Sequence, residues 1–116
     1  MNRFKKLIVW QKSMVLAEEV YQLTGQLPGR EKFGLVLQLN RNAVSIPSNI
    51  AEGAGRNSNK EYCRFLSIAQ GSTFELETQL LLCVKLKYLV DEQITKALQL
   101  ITQIQNMIYA LQLKLK

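Results

Sequence analysis

The chain contains no histidine. That absence removes imidazole acid–base catalysis, Ser-His and Cys-His nucleophile activation, and most zinc sites. Only two prolines and six glycines punctuate 116 residues, which favours a few long elements over many short strands. The two cysteines, Cys63 and Cys83, fall twenty positions apart in one expected helix. At about 1.5 Å per residue they are roughly 30 Å apart, beyond the reach of a disulfide. They read as small hydrophobes in a reducing compartment, so a cytoplasmic protein is expected. Long apolar runs are missing too. After Arg3, Lys5 and Lys6 only residues 7–10 are continuously apolar, too few for a signal peptide. No stretch approaches the ~18 apolar residues of a membrane span.

What is present is apolar side chain in helical rhythm. The chain is 47% hydrophobic, enough to bury one core, and its length suits a single domain over residues 1–116. A first helix is expected over 9–24, with Trp10, Met14, Ala17, Val20 and Tyr21 on one face, ended by Gly25 and Pro28. A second is expected over 31–54, its face made by Leu35, Val36, Leu39, Ala43, Ile46 and Ile50. Pro47 interrupts it: the missing N–H and the ring leave the Ala43 carbonyl unpaired. Either the helix kinks and continues, as the apolar period through Ile50 favours, or two shorter helices break at Ser45.

Gly53, Gly55 and Asn57 mark the next break. Ser58, three residues before Glu61, is a capping box opening a third helix over 59–87. Tyr62, Phe65, Leu66, Ala69, Leu76, Leu80 and Val84 form its face, widened by Phe74, Leu81 and Tyr88. Asp91 caps a fourth helix running to residue 114, with Ile94, Ala97, Ile101, Ile104, Ile108 and Leu115 as its stripe. Short connections make sequential helices antiparallel neighbours. The expected fold is all-α: an up-down-up-down antiparallel four-helix bundle with a Pro-kinked second helix.

Four constellations invite a function. Gln38, Arg41, Ser45, Asn49 and Glu52 project together from the second helix. They make a solvated face, a polar network across a subunit interface, or a ligand site. Glu77 falls within the apolar face of the third helix and needs a partner if buried, with Arg41 a candidate. Its neighbour Glu75 points elsewhere, so the two carboxylates are no catalytic pair. Arg56, Lys60 and Arg64 form a basic turn, and Arg3, Lys5 and Lys6 add charge at the N-terminus. Together they read as a phosphate footprint or as a solvated loop within a net charge of +6. Leu100, Met107 and Leu111 form an apolar shoulder on the fourth helix, expected at an oligomer interface. Gly53-Ala54-Gly55 lacks the strand, lysine and serine of a phosphate loop and reads as a helix C-cap. No metal-ligand cluster, cofactor motif or convergent acid–base pair is visible, so no catalytic residue, metal or cofactor is expected.

VWQKS at 9–13, the 39–53 run with VSIPSNIAEG, SNKEYCRFL from Ser58, and IAQGSTFELET at 68–78 carry a family resemblance. The chain resembles the bacterial four-helix-bundle proteins encoded within intervening sequences of 23S ribosomal RNA genes. It is also similar to the accessory protein of diversity-generating retroelements. The resemblance implies a ring-like homo-oligomer, a pentamer, that binds RNA or DNA and a protein partner through basic surfaces. The expected function is therefore a non-enzymatic nucleic-acid-binding accessory protein, contacting backbone rather than bases. The alternative is an oligomeric protein–protein adaptor with incidental charge.

Overall fold

The computed structural model describes residues 3–116. Four helices account for most of it: α1 (Ile8–Thr24), α2 (Leu35–Ala54), α3 (Asn59–Lys85) and α4 (Asp91–Leu115). Short 3-10 turns at Phe4–Lys6 and Gly29–Glu31 precede α1 and α2. Each helix packs on its neighbours in sequence, and α4 closes the square against α1. The bundle measures 43 × 23 × 20 Å, its long axis close to the ~40 Å of the 27-residue α3. No helix among the described residues is long and apolar enough to cross a membrane.

The core is the set of expected faces with one rotation. Leu39, Ala43, Ile46 and Ile50 of α2 are fully buried, as are Leu66, Ala69, Leu76 and Leu80 of α3 and Ile101, Ile104 and Ile108 of α4. On α1, however, the buried residues are Val9, Ser13, Leu16, Val20, Leu23 and Thr24, while Met14 and Tyr21 are exposed. A buried serine conceals the true stripe. Ser13 Oγ donates to the Trp10 carbonyl at 2.7 Å, satisfying its hydroxyl within the helix. Phe74 and Leu81, expected to widen the face of α3, also stand exposed.

Helix ends differ from expectation where side chains intervene. α2 runs unbroken through Pro47 but starts at Leu35, four residues later than expected. Glu31 explains the start. Its carboxylate accepts the Leu35 N–H at 3.3 Å through one oxygen and the Tyr88 hydroxyl at 2.8 Å through the other. Tyr88 and Leu35 together hold the Glu31 carboxyl below its ordinary range. At the start of α3 only half the capping box forms. Ser58 Oγ accepts the Glu61 N–H at 3.1 Å, but the Glu61 carboxylate turns to Arg64 instead. α3 stops at Lys85 in a Schellman arrangement, with Tyr88 N–H on the Cys83 carbonyl and Lys87 N–H on that of Val84. Lys87 takes the left-handed position, at φ 65°. α4 is capped at Val90, not Asp91: the Val90 N–H donates to Gln93 Oε1 at 2.9 Å.

Gly53 is part of α2 rather than a break. It is buried, and a Cβ there would lie 2.9 Å from Phe65 Cβ, 3.0 Å from Tyr62 Cδ1 and 3.2 Å from the Tyr62 carbonyl oxygen. α2 and α3 therefore cross at near backbone contact. Exposed Gly71 in α3 has nothing within 4 Å of such a Cβ.

Opposite outcomes follow at the two helical glycines. Gly53→Val lowers stability by about 2 kcal/mol through overpacking, whereas Gly71→Ala raises it by about 1 kcal/mol through helix propensity. Denaturant unfolding measures both, and a stable Gly53→Val variant would contradict the close crossing. At Glu31 the charged form is favoured in the folded state, so its contribution is complete above about pH 4.5 and fades as pH falls through the lowered folded value. Glu31→Ala should lower the melting temperature at neutral pH, with the gap to wild type narrowing in acid.

Candidate nucleic-acid interface

The α2–α3 crossing places Phe65 beneath the connecting loop, only 9% exposed. Two guanidinium groups cover its ring: the Arg56 Cζ lies 4.8 Å and the Arg64 Cζ 4.5 Å from the centroid. Each arginine also meets a carboxylate. Arg56 donates to Glu52 at 2.8 Å, and Arg64 to Glu61 at 3.1 and 3.2 Å. Arg64 is the main cause of the depressed Glu61 carboxyl, and Glu61 in turn raises Arg64. Such exposed pairs add little stability, but with the ring they hold both guanidiniums at the surface. Lys60, in the first turn of α3, is exposed, and among the described residues no carboxylate lies within ion-pair distance of it.

Arg3, Lys5 and Lys6 reach the same end of the bundle. Alternating helix direction makes α1 and α3 parallel, so their N-termini share an end with the C-termini of α2 and α4. The turn at Phe4–Lys6 packs on α1 and α2. Phe4 sets its ring edge-on to Trp10 with centroids 5.2 Å apart, and Gln11 Nε2 donates to the Lys5 carbonyl at 2.9 Å. The six basic residues singled out in the sequence therefore converge. Two more were missed: Lys114 in the last turn of α4, and Lys116 after it. Only the antiparallel path of α4 brings them here, and no local sequence signal announces it.

The polar residues of α2 have a different fate. Ser45 and Ser72 hydroxyls lie 2.9 Å apart, and Asn49 Nδ2 donates to the Ser45 carbonyl and hydroxyl at 2.8 and 3.0 Å. Gln79 Nε2 donates to Gln38 Oε1 at 3.1 Å, and Asn42 Nδ2 to Gln79 Oε1 at 3.0 Å. These groups form a polar seam between α2 and α3 of one protomer. Glu52 leaves it for Arg56, and Arg41 stays exposed on the bundle side. Glu77 does not pair with Arg41; its carboxylate accepts from Gln105 Nε2 at 3.1 Å, because it faces α4 rather than α2.

Leu100, Met107 and Leu111 are half-buried and pack on the protomer's own core. α4 lies against both α1 and α3, so its wide apolar arc fills two seams instead of standing free. Free apolar surface also lies on other helices. A groove of about 390 Å³ between α1 and α2 is lined by Trp10, Met14, Ala17, Val44, Pro47 and Ala51 with Ser48. Both cysteines are free thiols. Burial, helped by Glu31, pushes the Cys83 thiol up to about 11, which suits packing rather than reactivity.

In its fold the chain is similar to a solved structure of a protein of unknown function from the S23 ribosomal protein family of Bacteroides thetaiotaomicron. The two are 26% identical, superpose with a TM-score of 0.84, and share 90% of this chain and 98% of that one. No curated protein matches this chain. The family model for the 23S rRNA-intervening sequence protein matches residues 5–110, which takes in α1, α2, α3 and most of α4, and the chain therefore belongs to that family.

Proposed function

We propose that this protein is a non-enzymatic, homo-oligomeric accessory protein that binds RNA or DNA through its basic end. The observation that carries this reading is the convergence of Arg3, Lys5, Lys6, Arg56, Lys60 and Arg64, from separate stretches of chain, at one end of the bundle. Two of these cations are fixed in place by Phe65 and by carboxylates, and a phosphate approaching the end meets donors whose orientation is already set. Contacts of this kind go to backbone and confer little sequence preference. The lack of histidine in the chain supports binding over catalysis. The family description, which names a ribosomal RNA intervening sequence, is compatible with an RNA-associated role.

Self-assembly is the second part of the proposal, supported by the free apolar groove. Met14 and Val44 are 46% and 45% exposed along it, and Phe74 and Leu81 on α3 are exposed apolar side chains elsewhere on the molecule. A contact joining two different faces is heterologous and closes into a ring when the rotation allows, in line with the pentamer that the family resemblance implies. A further protein partner docking on the same groove is the adaptor alternative.

Two experiments test these readings. Fluorescence anisotropy with labelled structured RNA at about 50 and 200 mM salt should show binding that weakens by roughly 0.7–0.9 log units per phosphate contact per log unit of salt. The triple change of Arg56, Lys60 and Arg64 to Glu should abolish it while the native mass is unaltered. A triple variant that binds like wild type would remove these residues from the site. For assembly, Met14→Glu with Val44→Glu should shift the native mass to monomer; an unchanged oligomer would exclude the groove as the interface.

A further inference from the structure

We infer that the basic end is a docking face for the phosphate backbone of a nucleic-acid duplex, crossing the bundle end-on, and that Lys114 and Lys116 belong to that face. The inference rests on the nucleic-acid reading and adds to it the strand state, the direction of approach and two residues.

The first support is where the charge lies. With Lys114 and Lys116 the end carries eight basic side chains. Its acidic residues are Glu52 and Glu61, both already bonded to arginines. Eight less two equals the whole formal surplus of +6, since the other seven basic and seven acidic residues cancel. The boundary of the end is set by contacts along the bundle. Cys63, beside Arg64, meets Gln112 on α4. Lys12 meets Gln103, nine residues back and about 13 Å along the axis, so Lys12 belongs to the flank. The protein is thus electrostatically polar, positive at one end and neutral over the rest. A polyanion is steered to that end rather than to the sides.

The second support is what the end withholds. Proteins that hold single strands combine a basic track with exposed aromatic rings on which bases stack. Here the Phe65 ring is buried and already covered by Arg56 and Arg64. Tyr62 packs against Gly53 and the core, and Phe4 lies edge-on to Trp10. Tyr109 is exposed and stands three residues, about 4.5 Å, behind Gln112 along α4, on the flank side of Arg64. Among the described residues the rings that lie with these cations, Phe65, Tyr62 and Phe4, are packed against protein rather than free for a base. Phosphates are the groups this face can take. The cross-section of 23 × 20 Å spans about six base pairs of duplex at about 3.4 Å each.

The test is fluorescence anisotropy at about 100 mM salt with a labelled 20-base-pair duplex and the corresponding single strand. Wild type is compared with two double variants of equal charge change. One is Lys114→Glu with Lys116→Glu; the other is Lys32→Glu with Lys85→Glu at the opposite end. Thermal unfolding verifies that both variants fold. The duplex should bind more tightly than the single strand. The α4 variant should weaken duplex binding by about tenfold or more and flatten its salt dependence by the loss of about two contacts. The opposite-end variant should change affinity by less than about threefold. Equal losses from the two variants would overturn the end-on face, and tighter binding of the single strand would overturn the duplex assignment. Failure of wild type to bind either probe would instead remove the nucleic-acid reading on which both depend.

Discussion

The closeness of α2 to α3 at Gly53 governs the rest of the molecule. Without a side chain there, the two backbones approach until Phe65 and Tyr62 rest on α2 itself. That crossing fixes Phe65 under the loop, and Phe65 in turn fixes Arg56 and Arg64. One packing contact therefore sets both the geometry of the hairpin and the presentation of its cations. A larger residue at 53 would push the helices apart exactly where the loop needs them together, and the cost would fall on the site as well as on the fold.

The apolar core alone would tolerate sliding. Isoleucines and leucines pack in many registers with similar energy, and uniform apolar cores lose uniqueness before stability. The polar seams remove that freedom. Ser45 with Ser72, and Gln79 with Gln38 and Asn42, lock α2 against α3. On the other side Gln105 reaches Thr73 and Glu77, and Gln112 reaches the Cys63 carbonyl and Ser67. Five of these bonds are partly buried and satisfy groups that would otherwise be costly to desolvate, so a slip of one turn leaves several polar atoms unpaired. None of the buried side-chain polar atoms among the described residues lacks a partner. The same seams hold α4 at the height that carries Lys114 to the basic end.

Charge and apolar surface are segregated in the finished bundle. The cations gather at one end, while the exposed groove lined by Met14 and Val44 runs along the flank between α1 and α2. Self-association through the flank would leave the end free, and a ring of copies would present several basic ends in parallel. Multiplying a weak electrostatic contact in this way raises avidity without any new contact chemistry. Under the proposed reading, such an arrangement would let a chain with a modest surplus of charge hold a polyanion.

Much of this was legible in the sequence. Helical spacing of Leu39, Ala43, Ile46 and Ile50, the Ser58 cap and the isoleucine stripe of α4 specified four helices, because local periodicity and capping are properties of neighbouring residues. The α1 face was misread in part because Ser13 hides in it and Met14 and Tyr21 advertise a false one. Burial there is decided by which helices arrive alongside. Glu77 found Gln105 rather than Arg41, and Leu100, Met107 and Leu111 settled into their own core, for the same reason: α4 touches two helices, and no local rule says so. The six basic residues could be named from the sequence, but not their meeting place. Composition and periodicity determined that this chain is a bundle of four helices with spare positive charge. Only the tertiary structure decided that the charge stands at one end, because convergence of residues 3, 60 and 116 depends on chain direction and helix packing at distances no local pattern encodes.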